Sequence, residues 1–424
     1  MNSASKYLAF LAFCSTLVAH AADNPHMYRA TFFYGEPRLE KRALGSIDIL
    51  ASGGRTCCGR NGCNIKVPLL DIYGTYNMHA LGNGVPGKNL SLPTDLALTN
   101  LSLTPTRNCF ADLSFRGKFD TSEIDISLTQ NFVRGFFAQL YIPLRSLRIN
   151  NINFADLSPT SDPFPNINTP TWQTFLNVFP AILEQYNLSI DPVHRRGIGD
   201  ISLMAGWTLN YQEFDQLDYM DMTIKLGILA PTGKKANPNI VFDLPLGYNG
   251  HTGFPFELHA SFGAFDWFTF GAYLGGIAFG NRTGTVRIRT DAEQSGLIKL
   301  ASVNCACIHQ GVLWNAGLFA KADHFCRGLS ALVGYTFVQH NCDCIVLSAQ
   351  DRLNFDPVVV NDDPILKGWN MHTLHFMVDY DFSQPCMKFG PRLGFFYNFQ
   401  FAGKRTFNTS TAEGTFGLDI AWDF

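Results

Sequence analysis

Cysteine is the residue type in this sequence with the most evident chemistry, because seven cysteines fall into three groups of near neighbours. Such groups can bind zinc or form disulfides. Zinc sites usually separate their thiolates by two to four residues, so the one-residue spacing of the Cys-x-Cys pairs favours disulfides. The disulfide candidates are Cys57, Cys58, Cys63, Cys305, Cys307, Cys342 and Cys344.

A second group, His372, His375, Asp379 and Asp381, could supply acid–base groups or metal ligands. If this segment is a strand, its side chains alternate between two faces, so His372 and His375 cannot reach the same ion. The sequence also has no glycine-rich phosphate loop after a strand, no nucleophile elbow and no zinc-binding helix motif. We therefore expect no catalytic residue, no metal, no cofactor and no enzymatic activity.

The charge balance gives no indication of a nucleic-acid partner, since the net charge is -3. Charged residues form 16% of the chain, against about a quarter in typical soluble domains. Phe and Gly each occur 37 times. After the N-terminus, no apolar run approaches the ~20 residues that a membrane-spanning helix needs. The chain is thus aromatic-rich and charge-poor without a helical membrane span.

The N-terminus has the pattern of a secretory signal. Lys6 precedes an apolar stretch over residues 7–18, and residues 19–21 have the small-x-small pattern of a cleavage site. We predict a signal peptide over residues 1–21 and a mature protein over 22–424; the alternative is a buried first helix. Export would place the chain in an oxidising compartment, where disulfides persist.

The elements that would position these residues are strands. Residues 200–211, 220–230, 257–265 and 389–401 each carry apolar side chains at nearly every second position. Their length suits tilted membrane strands, whereas the strands of a soluble sandwich average about five or six residues. The C-terminal segment continues the pattern with Phe416, Leu418, Ile420, Trp422 and Phe424.

These segments predict an all-β fold: a closed antiparallel transmembrane β-barrel of about 14–16 strands, with long extracellular loops and a short loop helix. Counting back from the C-terminal strand places the long connections, including residues 150–198 and 341–369, on one side. Short connections fall on the other side, as in bacterial barrels. The same counting treats residues 291–295 as an inner turn between two further strands.

The polar faces of the strands predict the lining of the bore. A barrel of this size encloses an aqueous channel unless something fills it. The charges of both signs either favour small polar solutes weakly or are solvated wall residues without a selective role. Arg116 and Lys118 are also expected inside. The main lumen-lining candidates are Asp200, Lys225, Glu257, His259, Arg287, Arg289, Lys299, Lys321, Asp323, His375, Asp379, Arg392 and Asp419.

The longest outer loop, residues 150–198, contains helical spacing of apolar residues over 171–187. Thr169 and Pro170 form a suitable helix start, and Pro180 is expected to kink the helix. Such a helix could lie over the mouth or in the lumen. It would serve either as an entry site for a hydrophobic solute or as a structural lid.

Two segments resemble a known family. GIGDISLMAGW over 197–207 and LGILAPTGKK over 226–235 resemble the outer-membrane transporters linked to phenol degradation by the meta-pathway. That family is similar to the broader group of fatty-acid and aromatic-hydrocarbon barrels. The resemblance implies a barrel that carries small molecules, including hydrophobic ones. The abundance of cysteine resembles the major outer-membrane proteins of intracellular bacteria. The residues that carry the resemblance to the phenol-degradation transporters are Gly197, Gly199, Asp200, Pro231, Thr232 and Gly233.

These features predict a channel or transporter in the bacterial outer membrane for the passive passage of small solutes. The expected partners are outer-membrane lipid, the solutes, and the barrel-assembly machinery, which would recognise the C-terminal strand. The alternative is a disulfide-cross-linked structural or adhesive surface barrel with a plugged lumen.

Overall fold

Most of the chain after the N-terminus is described by the computed structural model. The predicted signal peptide over 1–21, Cys386, Trp422 and Phe424 lie outside the described part. The structure describes residues 26–29, 43–85, 87–105, 109–160, 164–212, 217–265, 267–326, 328–382 and 389–421.

Twelve antiparallel strands form the wall of the molecule. Each strand pairs with its sequence neighbour, and the last pairs with the first, so the sheet closes into a barrel. The predicted closed antiparallel barrel is thus confirmed. The strands are β1 (Ala43–Thr56), β2 (Asp112–Asn131), β3 (Phe136–Asp156), β4 (Ile201–Tyr211), β5 (Tyr219–Ala230), β6 (Gly253–Ala264), β7 (Phe268–Phe279), β8 (Leu313–Cys326), β9 (Leu329–His340), β10 (Trp369–Asp381), β11 (Phe389–Lys404) and β12 (Ser410–Ala421).

The barrel has fewer strands than the 14–16 expected from the sequence. Residues 280–312, which the alternation divides by an inner turn, form one outer connection. Its strands Arg282–Arg287 and Ser302–His309 pair with each other, and the second also pairs with Cys344–Val346, in a separate sheet. One face of that sheet packs on an apolar cluster of the outer loops. Burial on one face produces the same alternation as contact with lipid.

The other connections contain short elements, and the predicted loop helix is present. Long connections follow β1, β3, β5, β7 and β9 at one end, which agrees with the expected asymmetry. Among the described helices, none has both the length and the apolar character needed to cross a membrane. The helices are α1 (Met78–Asn83), α2 (Pro93–Ser102), α3 (Pro170–Gln185) and α4 (Pro357–Asn361). The remaining short elements are the 3₁₀ turns Leu69–Asp71, Val133–Gly135 and Asp351–Leu353, and the strands Cys58–Arg60, Lys66–Pro68, Tyr76–Asn77, Val193–Ile198 and Thr406–Phe407.

The outward faces of the barrel strands are apolar. Large apolar side chains on them are up to 63% exposed in the isolated chain. Soluble monomers rarely expose contiguous apolar surface of such extent, so this belt is suited to contact with lipid acyl chains. Its members include Leu203, Leu226, Ile228, Phe270, Leu318, Val333, Phe376, Phe395 and Phe416.

The two longest strands, β2 and β3, exchange their apolar and polar faces partway along. In the lower half of β2, Ile124 is exposed on the outside, while Glu123 is buried inside. In the upper half, Phe119 is buried inside and Asp120 lies on the outer face. In β3, the exchange falls near Ser146. The upper halves therefore have water outside and an apolar filling inside, which is the reverse of a strand in lipid.

This exchange of faces corrects the expected orientation of two basic residues. Arg116 and Lys118 lie in the upper half of β2, and their side chains point outward rather than into the bore. The expectation placed the polar face of the strand inside along its whole length, whereas in the upper half the polar face is the outer one.

The apolar filling closes the outer end of the barrel. We call it the cap core: the buried apolar residues of 69–81, α2, α3, residues 242–246 and the inward upper faces of β2 and β3. The rings of Trp172 and Phe175 stack at a centroid distance of 5.4 Å. Trp172 Nε1–H donates to Asp156 Oδ2 at 2.7 Å, which ties α3 to the rim of β3.

Candidate functional site

A cavity of about 280 Å³ lies between the cap core and the N-terminal segment, residues 26–29. Most of its wall is apolar or aromatic, and polar groups are few. Ligand pockets range from roughly 300 to 1,000 Å³ for drug-sized molecules, so this volume suits a small molecule. The lining includes Tyr28, Leu69, Ile72, Tyr73, Val241, Phe242, Leu244, Tyr248, Leu297, Trp369 and Phe407, with His26, Gln310, His340 and Asp343 as polar groups.

The N-terminal segment is bonded into the barrel and forms part of the cavity wall. Tyr28 OH donates to the Pro245 carbonyl at 3.0 Å. Thr409 Oγ1 donates to the Tyr28 carbonyl at 3.2 Å. The ring of Tyr28 also packs against Phe119 at a centroid distance of 5.9 Å. Because these contacts come from three separate parts of the chain, the segment joins the barrel wall to the outer loops.

A buried ion cluster anchors this segment to the wall. Arg29 Nη1 lies 3.4 Å from Glu123 Oε2, and Arg145 Nε lies 2.5 Å from Glu123 Oε1. All three side chains are almost completely buried. Arg145 Nη1 also donates to the Leu246 carbonyl at 2.7 Å and lies 2.9 Å from His26 Nε2. One glutamate thus holds the N-terminal segment, and the arginine beside it holds the loop after β5.

Sequence reasoning missed Glu123 and Arg145, although a signal was present. Glu123 and Asp125 alternate with Ile124 and Ile126 in the lower half of β2, which is the pattern of a strand with a charged inner face. Asp125 is also buried on that face. The position of residues 26–29 has no such signal, because an extended segment inside a barrel needs no periodicity.

The glycine–aspartate motif fixes the loop that forms one wall of the cavity. Asp200 Oδ1 accepts from the Gly233 N–H at 2.8 Å, and its Oδ2 accepts from the Tyr248 N–H at 2.5 Å. Thr232 Oγ1 donates to the Gly199 carbonyl at 2.7 Å. Asp200, expected to line the lumen, is fully buried. It binds loop backbone and so positions Tyr248.

Asp343 is an acidic residue of the cavity wall, as is Asp243, which forms an ion pair with Arg195. Asp343 Oδ1 accepts from the Gly311 N–H at 2.8 Å and lies 3.5 Å from His340 Nε2. Burial raises the pKa of Asp343 to about 7, although the hydrogen bond from Gly311 opposes this shift. The charge at this end of the cavity therefore changes near neutral pH.

Several of the predicted lumen residues lie on inner faces of the barrel as ion pairs. Lys225 Nζ lies 2.9 Å from Glu257 Oε2, and Lys321 Nζ lies 3.2 Å from Asp323 Oδ1. His259 is also buried on the inner face of β6, where it stacks on Tyr273. These pairs place charges of both signs along the wall.

The remaining predicted residues on the wall lie on β10 to β12. Arg392 Nη2 lies 3.1 Å from an oxygen of Asp48 and 3.2 Å from one of Asp419. His375 is fully buried and within hydrogen-bond distance of Asn398 and Thr336. Asp379 is half-buried on the same face of β10 as His375.

Arg287, Arg289 and Lys299 do not lie on the barrel wall, because the segment that contains them is the outer connection 280–312. Arg287 Nη1 donates to the Leu300 carbonyl at 2.7 Å. Lys299 Nζ lies 3.0 Å from Asp363 Oδ2, with both side chains buried, and Arg289 Nη1 lies 3.0 Å from Asp362 Oδ2. These cations fasten outer loops to one another.

The predicted disulfides are absent from the described part of the chain. In the outer-loop sheet, Cys344 lies opposite His309 and Cys307 opposite Val346, so these two cysteines do not face each other. Within the described ranges, no three His, Cys, Asp or Glu side chains are grouped so that they could hold a metal ion. Of the eight cysteines that the described part of the chain shows as free, six are exposed, the exceptions being Cys58 and Cys307. The free cysteines are Cys57, Cys58, Cys63, Cys109, Cys305, Cys307, Cys342 and Cys344.

Comparisons with known proteins give distant matches among solved structures but no family. No model of a known protein family matches the sequence, and no curated protein matches it. Among solved structures, an outer membrane channel from Pseudomonas putida F1 covers 93% of this chain and 98% of its own, with 11% identity and a TM-score of 0.48. The CymD monoaromatic hydrocarbon channel covers 90% of each chain, with 9% identity and a TM-score of 0.31. A Pseudomonas aeruginosa FadL homologue covers 96% of this chain and 99% of its own, with 11% identity and a TM-score of 0.28.

All three TM-scores lie below 0.5, so the barrel rests on the strand pairing described above rather than on these likenesses. The comparisons give no support to the resemblance with cysteine-rich outer-membrane proteins.

Glu123→Gln is expected to loosen residues 26–29, because it removes the carboxylate that Arg29 and Arg145 both contact. Removing one partner of a buried pair costs about 3–5 kcal/mol. Amide hydrogen exchange should therefore become at least about a hundredfold faster in the N-terminal segment. The matched control is Glu257→Gln, at the buried pair with Lys225, which should leave exchange in residues 26–29 unchanged. Equal exchange in the two variants would contradict the anchoring role.

Proposed function

We propose that this protein is a bacterial outer-membrane channel that takes up small, mainly apolar solutes by passive diffusion. The observation that supports this best is the cavity of about 280 Å³, with its apolar and aromatic wall, at the outer end of a lipid-facing barrel. Export by the signal peptide over 1–21 and recognition of the C-terminal strand by the barrel-assembly machinery are parts of the same proposal.

The cavity stabilises an apolar solute by removing its surface from water. Burial of about 150 Å² of apolar area, typical of one aromatic ring, contributes roughly 4 kcal/mol at 25 cal/mol/Å². This is enough to collect the solute from dilute solution and still allow release. Below the cavity, residues 26–29 and the Glu123 cluster stand in the path, so passage requires the segment to move.

The wall below the cavity is polar and has little net charge bias, since ion pairs such as Lys225–Glu257 and Lys321–Asp323 balance each other. A neutral solute meets no strong electrostatic barrier there. The apolar cavity, rather than the wall, therefore sets the preference among solutes.

A surface barrel of structural or adhesive role is the second candidate, supported by the cap core and by the exposed cysteines, which are available to cross-link neighbouring molecules. Conductance in planar bilayers separates the two candidates. Discrete open-channel steps support the channel. Silence, with disulfide-linked multimers on non-reducing gels, supports the structural barrel.

Leu244→Trp is expected to weaken solute binding at least tenfold, because the larger side chain fills the cavity that Leu244 lines. Fluorescence titration with the neutral dye 1-aminonaphthalene measures the dissociation constant. Leu353→Trp is the matched control, since Leu353 is 77% exposed on the outer loops and does not line the cavity. Unchanged binding by Leu244→Trp would exclude this cavity as the solute site.

Binding of the same dye is expected to weaken as the pH rises through about 7, the pKa of Asp343. Below this pH the carboxyl is neutral in both the free and the occupied cavity. Above it, an apolar ligand must be buried beside a carboxylate, which is unfavourable. Asp343→Asn should bind the dye equally at pH 5.5 and 8.5. A pH dependence that persists in this variant would assign the effect to another group.

A further inference from the structure

One side of the barrel carries a group of basic side chains on its outer surface. The pairing register places Arg55, Asp120, Arg148 and His194 side by side across β1, β2, β3 and the strand Val193–Ile198. We define the basic patch as four side chains: Arg55, Lys118, Arg148 and Arg196. Lys118 lies one row above this line, opposite Asn150, and Arg196 one row below it, opposite Ser146.

The basic patch lies just above the apolar belt on the same strands. Ala51, Ile124, Leu144 and Ile198 form a continuous outward row in register. This row is four residues below the row of Asp120 along β2, or roughly 10 Å on a tilted strand. Side chains at that height above the acyl chains lie at the level of the lipid headgroups.

The charges of the patch are accessible and incompletely paired. Arg55 and Lys118 lie 3.0 and 3.3 Å from the same carboxylate oxygen of Asp120, so one acid serves two cations. Arg148 and Arg196 are exposed and have no carboxylate partner among the described residues. The four cations therefore face outward with a single compensating carboxylate.

The patch is confined to this side of the barrel. Within their described residues, strands β5–β10 contain two Lys or Arg residues, Lys225 and Lys321, and both side chains are buried inside. At the upper ends of those strands, the outer surface carries aromatic groups such as Phe254 and Trp314. A need for charged residues to keep the outer rim soluble does not explain the cluster, because that need would apply around the whole circumference of the barrel.

We propose that the basic patch binds the phosphate groups of a phosphorylated lipid headgroup in the leaflet that surrounds the outer end of the barrel. Guanidinium groups match phosphate oxygens bidentately, and Arg148 and Arg196 lie on neighbouring strands, one row apart. The acyl chains of the same lipid would lie against the apolar row of Ile124 and Leu144. The proposal rests on insertion of the barrel in a membrane and is independent of what the lumen carries.

The test compares binding of diphosphoryl lipid A by the wild-type protein and by Arg148→Ser/Arg196→Ser, both in a neutral detergent. We expect binding at least tenfold weaker for the double variant. The matched control, Lys66→Ser/Lys404→Ser, removes two exposed charges of the outer end that are not part of the patch and should change binding less than twofold. Fully dephosphorylated lipid A should bind weakly and equally to all three proteins.

Equal binding by the wild type and the patch variant would overturn the proposal, as would an equal loss in the control variant. Binding of 1-aminonaphthalene by each variant reports whether the fold and the cavity are intact. A second measurement needs no substitution: lipid A binding by the wild type should weaken as NaCl rises from about 0.05 M to about 0.5 M, because salt screens exposed charges. Salt-independent binding would also overturn the proposal.

Discussion

Backbone N–H and C=O groups have no hydrogen-bond partner in lipid, and this constraint determines the rest of the structure. A sheet with lipid-facing apolar side chains must close on itself, and here β12 pairs with β1 to complete a ring of twelve strands. Closure creates an interior, and the interior must be filled or wetted. The chain fills its outer part with the cap core, and a small cavity lies beside that core.

The exchange of faces on β2 and β3 follows from the same constraint. Where these strands lie in lipid, their outward side chains are apolar and their inward ones include Glu123 and Arg145. Where they rise above the membrane, water is outside, and the cap core is inside. The level of the exchange sets the height of two features: the ion cluster that holds residues 26–29 inside the barrel, and the basic patch on its outer surface. The boundary between lipid and water on β2 and β3 therefore determines both where the N-terminal segment is anchored and where the outer surface can contact lipid headgroups.

The closed antiparallel barrel, the side of the long connections and the helix α3 could be predicted from the sequence, because each depends on a repeated local pattern. The strand number could not, since Arg282–Arg287 and Ser302–His309 alternate for contact with an outer-loop cluster rather than with lipid. The disulfides inferred from Cys-x-Cys spacing are not formed among the described cysteines. In the outer-loop sheet, the register, which spacing does not determine, sets Cys344 opposite His309. The cavity was not predictable either, since it is lined from segments far apart in the sequence. The motif at Asp200 indicated only its rim.

The central claim concerns β2 and β3: acyl chains contact their outward face in the lower half, and their inward face packs on the cap core in the upper half. Site-specific photo-crosslinking in lipid vesicles tests this claim most directly. A benzophenone side chain at position 124 should label lipid acyl chains, and one at position 119 should label only the protein itself. Lipid labelling at position 119, or its absence at position 124, would contradict the account.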